Sequence, residues 1–384
     1  KTSSVNKKIK NNEVPTKLLN YMDVYNNSFI DSEMKFSLTT AKQSQLTNNN
    51  VLKGDVFFTP SSETREDIGH SAVVVEDISN LVYSYHLVRY RIHNDDLVDL
   101  YFRAYCFNNT DVLKQFSKLA TGSTRYTLSL KDFEQIEIKI PPMKEQQKIA
   151  SILATFDKNI QLYTKLIENK KKLKKSLSYK FLNFQDRETR ELFDCEVRKV
   201  SFSSFLSIPK KVLVESPIKD NIISVKLHRN GLRLGYQNDT LKLGATNYYY
   251  RHSGQFIYGK QNIFNGAFDI LPDEFDGMYS SADIPSLNIN EKVIDPGYFL
   301  SYMSQLNVYK KLESKSTGTG SKRLHEKELL KEQIYLPPIE IQRQANYPLM
   351  LLTTEIEKLE EMLINLKLQK RGLMQLLLTG KVRV

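Results

Sequence analysis

A single offset of 196 residues, without a gap, lays one stretch of this chain on another. Thr121-Gly122 falls on Thr317-Gly318, Leu128 on Leu324, Ile138 on Ile334, Pro141-Pro142 on Pro337-Pro338 and Gln146 on Gln342. Farther on, Ile160 falls on Ile356, Lys174 on Lys370, Leu177 on Leu373 and Leu182 on Leu378. A constant register over roughly sixty residues marks a duplicated unit, and any fold for the chain must contain it twice.

Both copies follow one order. "EQIEIKI" (134–140) and "KEQIYL" (331–336) alternate polar and apolar residues, which predicts a short strand in each. Pro-Pro then stops the strand, because proline donates no hydrogen bond to a ladder and restrains the residue before it. A helical pattern of roughly forty residues follows, about 60 Å at ~1.5 Å per residue, too long for an ordinary globular helix and suited to a coiled coil. In the second copy Ala345, Leu349, Leu352, Ile356, Leu359, Leu363, Leu366, Lys370, Leu373 and Leu377 keep a 4,3 spacing. The first copy supplies Ile149, Leu153, Phe156, Ile160, Tyr163, Ile167, Lys170, Lys174, Leu177 and Phe181 at the same places. Such seams require a paired helix. Eight lysines and one glutamate lie between Lys158 and Lys180, whereas Glu355, Glu357, Glu360 and Glu361 crowd the early second helix. Opposite charges meet if the pair is antiparallel. Pro348 either kinks the second helix or belongs to its first turn. The run "KKKLKK" (170–175) is either a solvated helix face or a phosphate contact.

What precedes each helix is not repeated residue for residue, but it shares a skeleton. "LKGDVFFTPSSE" (52–63) lies against "HSGQFIYGKQN" (252–262), and "DLYFRAY" (99–105) against "PGYFLSYM" (296–303). The expected fold class is α/β (mixed α+β), with two domains joined by two long antiparallel coiled-coil helices in an internal pseudo-two-fold repeat. The expected boundaries are 1–141 for the first domain, 142–184 for the first helix, 185–338 for the second domain and 339–384 for the second helix. The first domain has no counterpart to "CEVRKVSFSSFLS" (195–207), so the chain is expected to begin a dozen or so residues inside it.

Composition narrows the partner. The chain carries 55 Lys+Arg against 44 Asp+Glu, with a pI near 9.2, which favours a polyanion. No apolar run approaches the ~20 residues of a membrane span, and "KTSSVNKKIKNN" at the start has no apolar core for a signal peptide. Cys106 and Cys195 have neither metal-ligand nor disulfide spacing, and a cytoplasmic protein is expected.

Five segments are candidates for DNA contact. In "TGSTRYTL", Gly122 permits close backbone approach while Ser123, Thr124 and Arg125 reach phosphate; Ser321, Lys322 and Arg323 match them in the second copy. The bland alternative is a plain turn. Thr59, Ser61, Ser62 and Arg65 follow a strand, and their counterparts are Tyr258 and Lys260. "NYYYRHS" (247–253) offers Tyr249 as an aromatic face beside Arg251, although tyrosine runs also serve as half-buried strands. Catalytic readings fail. "HEKEL" (325–329) lacks the second histidine of a zinc-protease helix, and "GTGSK" (318–322) lacks the spacing of a phosphate-binding loop. "DFEQIEIK" (132–139) resembles the end of a nuclease site, yet the second copy has Gln333 and Tyr335 at Glu137 and Lys139. No catalytic or metal site is expected.

The ordered set of these features resembles the specificity subunits of type I restriction–modification systems. It rests on the domain–helix–domain–helix order and the two junctions at Pro141-Pro142/Gln146 and Pro337-Pro338/Gln342. The helix ends "KLKKSLSYKFL" and "QKRGLMQLLLTG" and the stretches "GDVFFTPSSE" and "TGSTRYTL" complete it. The resemblance covers nearly the whole chain. It implies two target-recognition domains, each reading half of a bipartite sequence in double-stranded DNA, and helices that separate them and dock two methyltransferase subunits. Restriction (motor-nuclease) subunits would join that complex. The chain itself would be non-catalytic and hold no cofactor, with S-adenosylmethionine, ATP and Mg expected in the partners, which methylate adenine at N6 or restrict unmodified DNA. One helical turn more or less would move the domains by ~5.4 Å, somewhat over one base pair of ~3.4 Å. Two other classes compete: a helical protein-binding scaffold without DNA sequence specificity, and a stand-alone enzyme.

Overall fold

Pro141-Pro142 and Pro337-Pro338 each stand just ahead of a helix of 40 residues, Met143–Leu182 and Ile339–Leu378. Proline suits this place because the first turn of a helix has no use for its missing N–H. The computed structural model describes residues 1–92, 97–235, 246–318 and 321–384. Its contacts divide the chain into two units: residues 1–164 with 361–384, and residues 165–360.

In each unit a buried glutamine fastens the helix start to the domain. In unit 1 the Gln146 Oε1 accepts the Asp99 N–H at 2.8 Å, and its Nε2 donates to the Leu97 and Pro141 carbonyls at 3.1 and 2.8 Å. In unit 2 Gln342 repeats this with Asp295 at 2.8 Å, Val293 at 3.0 Å and Pro337 at 2.9 Å. Each aspartate in turn holds a helical turn. Asp99 Oδ1 accepts from the Tyr101 and Phe102 amides, both at 3.0 Å, and Asp295 Oδ1 accepts from the Tyr298 amide at 2.8 Å. Gln146 is 1 % exposed and Gln342 0 %, so every polar group in these clamps depends on the others.

The long helices run antiparallel within each unit. In unit 1, Glu145 pairs with Arg383 and Asp157 with Lys370. Asp157 also accepts the Tyr105 hydroxyl at 2.9 Å, which settles the lysine in this otherwise apolar seam. In unit 2, Lys170 pairs with Glu355 at 2.7 Å and Lys171 with Glu360 at 2.6 Å, so part of the lysine run meets glutamates as the charge pattern predicts. Seam residues also enter the domain cores. Ile149, Leu153 and Leu377 join Phe58, Phe102 and Phe116 in unit 1; Leu182, Ala345 and Leu349 join Phe256, Tyr258 and Phe299 in unit 2. A fully buried leucine or isoleucine contributes roughly 1.5–3 kcal/mol, so each helix end is anchored by packing as well as by its glutamine. Pro348 lies inside the second helix, not in its first turn.

The domains share a sheet plan. In unit 1, Val56–Phe58 is hydrogen-bonded antiparallel to Ser71–Val74 on one side and Val88–Tyr90 on the other, with Phe57 opposite Arg89. A second sheet sets Val14–Leu19 between Ser37–Ala41, antiparallel, and Leu81–Tyr83, parallel. In unit 2, Phe256–Tyr258 lies between Phe268–Ile270 and Ser286–Ile289, with Leu206–Ser207 on the outer edge.

One expected element is absent. Gln333–Leu336 is a strand, paired antiparallel with Arg198–Ser201, but the equivalent 136–140 carries no ladder and Leu130–Glu134 is a short helix. The reason is the partner: among the described residues of unit 1, no segment lies where Arg198–Ser201 lies in unit 2. An alternating pattern makes a strand only when a second strand takes its hydrogen bonds.

Replacing Gln342 by alanine strands the Asp295 N–H and two carbonyls in the interior, and is expected to cost about 2–4 kcal/mol. Gln146→Ala should cost a similar amount, and denaturant unfolding of each variant against the parent measures it.

Candidate nucleic-acid interface

In both units the Thr-Gly segment is a closed turn. The Thr121 and Thr127 backbones exchange hydrogen bonds at 3.1 and 2.8 Å, and Thr317 and Arg323 do so at 3.0 and 2.8 Å. Gly122 has φ +133°, and a β-carbon there would stand 2.1 Å from the Arg125 carbonyl oxygen; Gly318 has φ +114° and would meet the Ser321 oxygen at 2.7 Å. Only glycine fits this turn in either unit.

Gly122, Ser123, Thr124 and Arg125 are all exposed in unit 1. Ser61–Ser62 forms a two-residue ladder with Tyr126–Thr127, bringing two sequence-predicted segments together. The Arg125 guanidinium donates to Ser61 Oγ at 3.1 Å, and Arg65 lies 5.3 Å from the centre of the Tyr126 ring. Neither arginine is held by a carboxylate among the described residues. Thr59 is 0 % exposed and Ser62 is buried, so both serve the fold beneath this surface. Sequence reasoning passed over Tyr21, whose hydroxyl donates to the Ser61 carbonyl at 2.7 Å. It also passed over His86, whose pKa is lowered by burial and by nearby Arg125 and Lys7, a sign of local positive potential.

Unit 2 spends its cations differently. Ser321 and Lys322 are exposed and Arg323 is half-buried. Lys322 pairs with Glu313 at 3.0 Å and Arg323 with Asp283 at 3.3 Å, both at the surface. Tyr258 is 0 % exposed and its hydroxyl donates to the Leu324 carbonyl. Arg251 is buried, bonded through Nε to Ser280 Oγ at 2.7 Å and through a terminal nitrogen to the Ser281 and Ile284 carbonyls. Burial draws its pKa down to about 10, which leaves it charged at neutral pH. Lys260 is buried against Glu326 at 3.0 Å. Burial pushes the Glu326 carboxyl up, but its backbone hydrogen bond and Lys260 prevail and hold it below the ordinary range. Of the sequence-predicted residues in this part of unit 2, Tyr249 keeps an open face: it is half-buried, with Lys211 5.7 Å and Arg251 5.8 Å from its ring centre. Lys211, which no sequence pattern singles out, is exposed there.

Among the described residues Arg65, Arg125 and Lys211 are the cations of these segments without a carboxylate partner, while Lys322 and Arg323 are held in surface ion pairs. Among the described residues no group of His, Cys, Asp and Glu is arranged to hold a metal ion, and no helix is long and apolar enough to cross a membrane. Lys260→Ala leaves Glu326 charged and nearly enclosed, and is expected to lower stability by about 3–5 kcal/mol, read as a fall in Tm.

Residues 4–175 match the protein family described as the type I restriction modification DNA specificity domain. Along most of its length the chain is 23 % identical to a putative type I restriction enzyme MjaX specificity subunit of Methanocaldococcus jannaschii, covering 89 % of this chain and 82 % of that one. The MjaVIII specificity subunit of the same organism is 26 % identical, over 73 % of this chain and 70 % of the relative. The crystal structure of a type I restriction–modification S subunit from M. genitalium matches in fold with a TM-score of 0.59 at 15 % identity, over 98 % of this chain and 92 % of that one. A chain from a study of assembly and conformational transition of the type I R-M system matches with a TM-score of 0.55 at 13 % identity, over 99 % and 96 %. Residues 4–175 thus match a type I restriction modification DNA specificity domain, and most of the chain is similar to type I restriction enzyme specificity subunits and shares the fold of a solved S subunit.

Proposed function

We propose that this chain is the DNA sequence-specificity subunit of a type I restriction–modification complex. Each unit reads one half of a bipartite double-stranded target, and the long helices dock two methyltransferase subunits, with motor-nuclease subunits joining them. The chain selects the site and does no chemistry. Methylation of adenine at N6 and restriction of unmodified DNA fall to the partners, which bring S-adenosylmethionine, ATP and Mg. The complex works in the cytoplasm, where its DNA is.

The observation that carries this reading is one frame bearing two surfaces. The Gln146 and Gln342 clamps and the Thr-Gly turns coincide between units, while the side chains beyond them differ. Such a design suits two different half-sites better than one repeated ligand. Phosphate contacts come from Arg65, Arg125 and Lys211, and from Lys322 and Arg323 once they exchange Glu313 and Asp283 for phosphate, with serine and threonine hydroxyls and the Tyr249 ring nearest the bases. A protein-binding scaffold would need no such outward cations on its turns.

A map of N6-methyladenine across the source genome, with and without this gene, tests the function. Loss of one split motif is the expected result; an unchanged map in a cell with an active methyltransferase partner sinks it. For the assembled complex, Arg125→Ala should weaken binding about equally for all DNA sequences and reduce the slope of log affinity against log salt by about one. A changed preference at one base would instead make Arg125 a base reader.

A further inference from the structure

The part of unit 1 that carries Arg65 and Arg125 also holds a carboxylate fixed in place. Strands Val56–Phe58 and Ser71–Val74 form a hairpin. Its tip is closed by the Thr59 N–H donating to the His70 carbonyl at 2.9 Å and the Gly69 N–H donating to the Thr59 carbonyl at 3.0 Å. Gly69, at φ +83°, lies so near Phe116 that a β-carbon would stand 2.4 Å from the ring, so the tip rests directly on the core. The tip carries Asp67, whose side chain is 42 % exposed. Tyr25 donates its hydroxyl to Asp67 Oδ2 at 2.7 Å, and His70 Nε2 donates to Oδ1 at 2.8 Å, since an ionised carboxylate only accepts. The Tyr25 ring is edge-on to His70, with centres 5.0 Å apart, and stacked on Tyr21, with centres 6.0 Å apart. Glu63 and Glu66 of the same tip are exposed and have no hydrogen-bond or ion-pair partner among the described residues, so Asp67 is the carboxylate that the tip orients.

Asp67 is continuous with the cationic surface. Tyr21 donates to the Ser61 carbonyl, and Ser61 Oγ accepts from Arg125. Burial raises the Tyr21 pKa; Asp67 adds to the rise while Thr59 and Arg125 oppose it, so one hydroxyl senses both the carboxylate and the guanidinium. A carboxylate repels phosphate, and beside cations that attract a DNA backbone its place needs another reason. Base edges supply one. A two-stranded ribbon fits the major groove, and there cytosine presents its N4 amino group as a donor alone. Adenine sets the N7 acceptor beside its N6 donor, and guanine and thymine present acceptors, which an all-acceptor carboxylate disfavours. With Tyr25 and His70 satisfied, each Asp67 oxygen keeps a lone pair for such a donor. Unit 2 builds the corresponding hairpin from Phe256–Tyr258 and Phe268–Ile270, and its tip turn Ile263–Asn265 ends on an amide, which accepts from Lys310 at 3.1 Å. One frame thus presents different groups in the two units.

We propose that Asp67 is a specificity-determining residue: its carboxylate accepts from the N4 amino group of one cytosine in the major groove of the half-site bound by unit 1. Tyr25 and His70 are positioning residues that aim it. The inference rests on the DNA-reading function proposed above and adds to it a named residue and the base it selects.

The test maps N6-methyladenine in source cells carrying the parent gene, Asp67→Asn or Tyr25→Phe. The parent motif is expected to require cytosine at one position of one half-site. Asparagine keeps the shape of the side chain but adds a donor, so it fits adenine N6 and N7 together. Methylation in the Asp67→Asn cell should spread to sites with adenine at that position, the cytosine preference falling at least about fivefold while the other half-site is unchanged. Tyr25→Phe leaves one carboxylate oxygen unheld and should weaken the preference at the same position and no other. A motif identical to the parent's in either variant overturns the proposal and leaves the functional reading standing. So does loss of all methylation in the Asp67→Asn cell, or a change in both half-sites, either of which makes Asp67 a structural residue. A parent gene that yields no motif beside an active methyltransferase partner sinks the function itself, and this inference with it.

Discussion

The direction in which each long helix leaves its domain depends on one buried glutamine in each unit, backed by core packing. A forty-residue helix leaving a domain through a Pro-Pro pair would swivel if only the chain joined them. Gln146 and Gln342 prevent this with three hydrogen bonds each, to one amide and two carbonyls. The aspartate whose amide they take, Asp99 or Asp295, also caps the turn bearing the buried Phe102 in unit 1 and the buried Tyr298-Phe299 pair in unit 2. Helix direction and domain core are thereby settled by the same few atoms. A shorter or charged side chain would leave buried groups unsatisfied, and this explains why the residue recurs at the same offset as the prolines.

Charge acts at a second level. Within the lysine run of the first helix, Lys170 and Lys171 meet Glu355 and Glu360. Lys370 and Lys174 occupy equivalent seam positions but meet different environments. Lys370 finds Asp157, whereas Lys174 is drawn down in pKa by burial and by Arg229, with Glu357 opposing. The same contrast holds at the Thr-Gly turns, where Arg125 has a hydroxyl partner and Lys322 and Arg323 have carboxylates. A net charge of +11 therefore says little about where a polyanion sits; local pairing decides it.

The repeat, the helix lengths, the seam and the turn glycines were legible because each is written as a period, an offset or a residue with special backbone needs. Side-chain exposure was not. Thr59, Tyr258, Arg251 and Lys260 read as surface residues after a strand, yet all are buried, because the strands carrying them run through the sheets and their polar groups meet Ser280, Leu324 and Glu326 from distant segments. Tyr21 and Lys211 were missed for the converse reason: nothing near them in the chain marks them, and only folding brings them beside Ser61 and Tyr249.

The sequence by itself determined that there are two copies of one plan, where each long helix starts, and which positions pair in the seam, since these follow from local sterics and periodicity. Only the tertiary structure decided which alternating segment became a strand. Gln333–Leu336 did so because Arg198–Ser201 lies beside it, and 136–140 did not because no described segment does. A ladder needs two strands, and a pattern in one segment carries no information about whether the other is there.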